Sequence, residues 1–107
     1  MVKIVEPQEA VAQINDGSHL VLPGSCANPV RFYEAFSKEI ERFSTLTVCS
    51  GLSLGDYRFL DKGLGTNFHY KTWQAAPKLR SLFKENDKTK ISFIPTRLSD
   101  LDQVVRQ

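Results

Sequence analysis

The sequence predicts an α/β fold, a mainly parallel sheet flanked by helices. Three observations carry that reading. Short apolar runs at Leu20 to Leu22, Leu46 to Cys49 and Ile91 to Ile94, with a weaker one at Phe68 to Tyr70, have the length of buried strands. Segments whose apolar residues recur at helical spacing lie between them. Strand and helix therefore alternate, the signature of βαβ units, which need parallel strands joined by crossovers.

Taken in order, Pro7 to Asn15 places Ala10, Val11 and Ile14 on one helical face, and Asp16-Gly17 supplies a stop. Leu20 to Leu22 is the first strand, ended by Pro23-Gly24. The next helix has Asn28 as a cap, Pro29 at its first position, and Val30, Tyr33, Phe36, Ile40 and Phe43 on one face. Leu46 to Cys49 follows as the second strand and breaks at Ser50-Gly51. Residues 51–66 hold four glycines, with a short helical turn expected around Tyr57 to Leu60. Pro77 opens a helix with Leu79, Leu82 and Phe83 facing inward, and Pro95 closes the last strand. Ser99 with Asp102 three residues on resembles a capping box, so a final helix is expected from near Ser99.

That last helix reaches only about two turns before Gln107, with no C-cap glycine. Parallel sheets are normally covered on both faces, which so few helices barely achieve. The expectation is an opening segment of a larger enzyme domain, spanning residues 1–107.

Composition narrows the function classes. The chain is 41% hydrophobic and 24% charged, ordinary for a globular protein. A net charge of +2 is too small to indicate a nucleic-acid partner. A local excess of Lys71, Lys78, Arg80, Lys84, Lys88 and Lys90 over Glu85 and Asp87 reads first as a solvated face, and secondly as a patch for an anion. No run approaches membrane-spanning length, and no apolar leader opens the chain. Cys26 and Cys49 have neither disulfide-framework nor zinc spacing, so a reducing, cytoplasmic setting without a metal site is expected.

Ligands of open parallel sheets bind beyond the carboxyl ends of the strands. Two loops occupy that position. The first, Pro23 to Pro29, carries Gly24, Ser25, Cys26 and Ala27, small residues that let a ligand approach the backbone before a helix N-terminus. The second, Cys49 to Gly55, carries Gly51 and Leu52, and in a right-handed βαβ unit it lies beside the first. Backbone N–H groups from either loop could then form an oxyanion hole. The alternative for each loop is a tight turn without a ligand. No G-x-G-x-x-G is present. Gly51-Leu52-Ser53-Leu54-Gly55 fits G-x-S-x-G in spacing, but a hydrolase triad around Ser53 needs a downstream loop histidine, and His69 lies in the third strand. Neither His19 nor His69 has a cysteine or carboxylate at ligand spacing. Cys26 reads as a small turn residue before it reads as a thiolate at a helix N-terminus. Asp56 and Asp61 are the acids without an obvious cap or surface task, and no acid reads as a buried nucleophile.

The run Glu6 to Gly17 followed by Leu20 to Ser25 resembles the opening of acetyl-CoA hydrolases and of 4-hydroxybutyrate or acetate CoA-transferases. The stretch Gly24 to Phe36, small residues then a proline and a helix ending in Glu34-Ala35-Phe36, is similar to the family's corresponding segment, as are Phe68 to Arg80 and Ile94 to Asp100. The resemblance implies a CoA-transferase (NagB/RpiA-like) fold, of which this chain is the incomplete N-terminal part. It implies CoA exchange between carboxylic acids, or release of CoA to water, with coenzyme A as substrate or product. A glutamate outside this chain would attack the thioester, giving an acyl–glutamyl anhydride and then a glutamyl-CoA thioester. A backbone N–H near Gly51 or Leu52 would help hold the thioester oxygen. The implied partners are acyl-CoA, a small carboxylic acid and the remainder of the enzyme, with a homo-oligomer left open and neither nucleic acid nor membrane involved. The alternative is a stand-alone, non-catalytic α/β binding or interaction module.

Overall fold

The computed structural model describes residues 2–52, 58–63, 68–85 and 90–106. The chain runs α1 (Pro7–Ala12), β1 (His19–Leu22), α2 (Val30–Glu39), β2 (Leu46–Ser50), α3 (Arg58–Gly63), β3 (Phe68–Thr72), α4 (Pro77–Glu85), β4 (Ile91–Phe93) and α5 (Leu101–Arg106). Three-residue 3₁₀ turns precede α2 (Ser25–Ala27), extend it (Ile40–Arg42) and lead into α5 (Leu98–Asp100). The strands lie in sequence order, β1-β2-β3-β4, and every neighbouring pair is parallel. The α/β fold with a parallel sheet is thus present. Among the described residues no helix is long and apolar enough to cross a membrane.

Sequential order with crossovers of one hand brings successive helices to one face of the sheet. The core shows the result. Leu22, Leu46, Val48, Phe68, Tyr70 and Ile91 of the strands share one apolar cluster with Val11, Phe36, Phe59, Leu60, Leu79 and Leu82 of α1 to α4. Phe59 on α3 is its hub: its ring lies 5.1 Å from that of Tyr33, 5.5 Å from Phe36, and 6.4 Å from both Phe68 and Tyr70. The strand residues of opposite parity are different in kind. His19 and Val21 are exposed, Thr47, His69, Lys71 and Ser92 are half-buried, and Cys49 is buried. One face of the sheet is oily and the other is mixed.

Polar contacts fix the ends of the elements. Asp16 reaches across to the turn before β2, accepting from the Ser44 and Thr45 backbone N–H groups at 2.9 and 2.8 Å and from the Ser44 hydroxyl. Gly17, at φ +80°, completes that turn by donating to the Thr45 carbonyl at 2.6 Å. Arg42 donates to the Val11 and Ile14 carbonyls at 2.9 and 3.0 Å, satisfying the C-terminal end of α1.

Two cap expectations are corrected. Asn28 does not cap α2: its side-chain amide turns back to donate to the Pro23 carbonyl at 3.1 Å, Pro29 takes the cap position and Val30 is the first helical residue. Ser99 lies inside the 3₁₀ turn Leu98–Asp100, and no side-chain cap bond is made there. A 3₁₀ turn runs directly into α5 and another is separated from α2 by two residues, so in both places the backbone enters from a different direction than a simple cap requires. Pro7 does take the first position of α1. The expected turn at Tyr57 to Leu60 is α3, with Tyr57 outside the described residues.

Two outcomes follow. Phe59→Ala removes the hub ring and is expected to destabilise the chain by about 3–5 kcal/mol, read from urea unfolding. The Ser44 hydroxyl, more than any other neighbour, holds the Asp16 carboxyl below its ordinary value of 3.8, with the Thr45 N–H next. A depressed carboxyl stabilises the fold above its unfolded pKa, and that contribution disappears as pH falls through the lower folded value. Melting temperature should therefore fall on acidification below about pH 4, and Asp16→Asn should flatten that part of the profile.

Candidate functional site

The register of the sheet ends all four strands level, with Thr72 of β3 paired to Phe93 of β4. Leu22 pairs with Ser50, and Ser50 with Thr72. The loops that follow therefore emerge side by side, and the two loops singled out in the sequence do touch. Ser25 N–H donates to the Leu52 carbonyl at 2.5 Å. Gly24 lies so close that a Cβ there would sit 2.9 Å from the Leu52 carbonyl oxygen, a backbone atom that cannot swing away. Ser25 itself has φ +56°, a left-handed conformation rare for a residue with a side chain. Ser25, Cys26 and Ala27 form the exposed 3₁₀ turn between β1 and α2. The Pro23 carbonyl that starts the loop accepts from Asn28 at 3.1 Å and from the Tyr33 hydroxyl at 3.4 Å.

A third loop joins them that sequence reasoning passed over. β3 extends to Thr72, two residues beyond the expected end, and Trp73 and Gln74 follow. The Thr72 hydroxyl donates to the Gln74 carbonyl at 2.7 Å and accepts from the Gln74 N–H at 3.2 Å, folding the backbone back on itself. The Gln74 side-chain oxygen then accepts from the Leu52 N–H at 2.7 Å. A Cβ on Gly51 would lie 2.7 Å from the Trp73 ring nitrogen and 3.0 Å from that same Gln74 oxygen. Below the junction the buried hydroxyls of Ser50 and Tyr70 pair with each other. All six expected residues, Gly24, Ser25, Cys26, Ala27, Gly51 and Leu52, thus belong to the two loops of one junction. Trp73 and Gln74 are the additions. Treating every strand end as a potential ligand face would have found them, had β3 been read two residues longer.

The junction offers backbone polar groups and shape. Among the described residues the buried polar side chains are Ser37, Ser50 and Thr72, so no acid is enclosed there. Ser53, Gly55 and Asp56 lie outside the described residues, while Asp61 is exposed on α3. The basic residues of 71–90 are dispersed over several elements: Lys71 belongs to β3, Arg80 donates to the Ala75 carbonyl at 3.2 Å, and Lys84 is exposed on α4. Lys88 lies outside the described residues.

The two histidines acquire partners on the mixed face of the sheet. His19 Nε2 is 3.3 Å from Cys49 Sγ, a pairing that spacing along the chain conceals, and His69 Nε2 is 2.8 Å from the Ser92 hydroxyl. Burial pushes the Cys49 thiol up, against the opposing pull of the Lys71 charge. Burial also lowers His69, and Lys71 adds to that. A thiol kept protonated is a poor nucleophile. Among the described residues no three of His, Cys, Asp and Glu gather as metal ligands would. A hollow between α2 and α3 is bordered by Val30, Tyr33, Glu34, Ser37 and Arg58.

These features define an α/β protein with a four-stranded parallel sheet whose candidate ligand face is the level end of β1, β2 and β3. Among solved structures, RipA from Yersinia pestis is similar, with a TM-score of 0.69 and 18% sequence identity over 94% of this chain. The likeness covers 25% of the RipA chain, so this chain spans about a quarter of that protein's length, and at such identity it speaks for the fold. No family model matches the sequence, and no curated protein sequence matches it.

The two glycines should respond in different ways. Gly24→Ala meets a backbone oxygen and is expected to destabilise by about 1–3 kcal/mol. Gly51→Ala crowds the rigid Trp73 ring at 2.7 Å and the Gln74 oxygen at 3.0 Å, so beyond its own cost it should weaken the Leu52–Gln74 bond. Paired thermal melts and amide exchange at Leu52 check both.

Proposed function

We propose that this chain is the N-terminal portion of an enzyme that moves CoA between carboxylic acids or hydrolyses acyl-CoA thioesters of the acetyl-CoA class. The observation supporting the reading is the three-loop junction at the strand ends, where Gly24 and Gly51 keep side chains out and backbone groups of Ser25 and Leu52 are brought together. An acyl oxygen is a ligand suited to such a surface, because it needs donors and little room. The chain contributes walls and backbone donors. The attacking glutamate is supplied by polypeptide outside it, in keeping with the lack of a buried acid among the described residues. The setting is cytoplasmic, where acyl-CoA and a small carboxylic acid are the partners.

A second reading, a non-catalytic binding or interaction module, draws on a different observation. The Ser25 and Leu52 N–H groups are both already paired within the chain.

Purified residues 1–107 should neither cleave acetyl-CoA nor exchange CoA with acetate, while acetyl-CoA should shift the amide resonances of residues 24–27. Thioester turnover by the fragment at the rate of an intact enzyme would place the nucleophile inside this chain and end the first reading. A wholly unresponsive set of loop resonances would leave the second.

A further inference from the structure

We infer that the Gln74 side chain is an internal stand-in for a ligand oxygen, a displaceable plug on the Leu52 N–H that reserves this donor for negatively charged oxygens. The inference rests on the acyl-oxygen reading of the junction and assigns its selectivity to one residue. Three observations converge on it. The Gln74 carbonyl oxygen sits 2.7 Å from the Leu52 nitrogen, where an acyl or carboxylate oxygen would accept. The contact lies against Gly51, which has no side chain to shield it, and a Cβ there would come within 3.0 Å of the same oxygen. The backbone of Gln74 is held by both bonds to Thr72, yet its side chain is exposed, so the amide can swing into water without unfolding the loop.

The chemistry of the exchange sets what can displace the plug. A neutral carbonyl offers the Leu52 N–H a bond much like the one it already has, so little is gained. A carboxylate or an oxyanion accepts a charge-assisted bond, roughly twice as strong, and wins the competition. The freed glutamine amide is then solvated. A donor managed this way favours the charged oxygen that develops during acyl transfer over the uncharged thioester, which is the preference a transition-state site requires.

The test is a titration of the ¹⁵N-labelled 107-residue chain, followed at the Leu52 amide, with acetate, acetamide and acetyl-CoA as separate probes. In the parent chain acetate should move the Leu52 resonance and acetamide should not. Gln74→Ala, and Gln74→Met as a variant that keeps side-chain bulk, remove the competing oxygen. Both should bind acetate roughly fivefold more tightly, the worth of one net hydrogen bond, and should also respond to acetamide. Gln74→Glu retains the acceptor with a charge and should abolish the acetate response. A purely structural glutamine predicts the reverse for Ala and Met, weaker binding or none, and that result overturns the inference, as does equal acetate affinity in all four chains. If acetyl-CoA shifts residues 24–27 while Leu52 ignores acetate in the Ala and Met variants, the plug is refuted and the CoA reading survives. If acetate behaves as described but acetyl-CoA perturbs neither loop, the plug stands and the CoA reading fails. Silence from every probe refutes both.

Discussion

Parallel register is the constraint on which the rest of this molecule depends. Because Leu22, Ser50 and Thr72 form one row across the sheet, the chain leaves β1, β2 and β3 at the same height. Three loops must then share a space only about two strand spacings wide, close to 10 Å. Residues with side chains cannot all fit there. Gly24 against the Leu52 carbonyl and Gly51 against Trp73 are the local solutions, and the bond from Ser25 N–H to Leu52 seals the first pair of loops. The glycines are consequences of the register before they are anything else, and the polar junction they create is what a ligand would meet.

The energetic support for that arrangement comes from the opposite direction. The cluster around Phe59 ties α2, α3, β3 and the sheet centre together through rings, so the height of each strand is held by packing beneath it. Tyr70 connects the two layers: its ring contacts Phe59 and its hydroxyl pairs with Ser50 directly under the loops. A buried hydroxyl without a partner would be costly, and here each satisfies the other. The Asp16 and Arg42 contacts do a related job at the far end, tying the α1–β1 turn and the last turn of α1 to the region joining α2 to β2. Both ends of the β1–β2 unit are therefore pinned, one by charge and one by close backbone approach.

Much of this was legible in the sequence. Apolar runs flanked by Pro-Gly and Ser-Gly marked β1 and β2, and the Val30, Tyr33, Phe36 and Ile40 spacing marked α2. The same breaks located the two loops correctly. What escaped notice has physical reasons. β3 reads as weak because His69 and Lys71 alternate with Phe68, Tyr70 and Thr72, a half-buried pattern rather than a continuous apolar run. Ending that strand early hid the third loop, and with it Trp73 and Gln74. The caps failed because short 3₁₀ turns have little sequence signature: one ends just before Asn28, and another contains Ser99. The His19–Cys49 contact depends on register between strands, which no local pattern encodes. Ser25 at positive φ carries no signal either, since nothing but glycine or asparagine advertises that conformation.

The Ser25 and Leu52 N–H groups are already paired within the chain, and that shapes what the junction can do. When a donor is already satisfied inside the protein, a ligand gains only the difference between its own bond and the one it replaces. Tight binding of a neutral substrate oxygen at Leu52 is therefore not available to this architecture. Discrimination is, because two acceptors that differ in charge are compared at one N–H against a fixed internal reference. Under the proposed function, most of the affinity for an acyl-bearing molecule would then come from contacts elsewhere on that molecule, and the loop junction would contribute by ranking the charge states of the oxygen it receives. Such a site would be weak in the ground state and selective along the reaction, with Gln74 beside the level strand ends as the source of that selectivity.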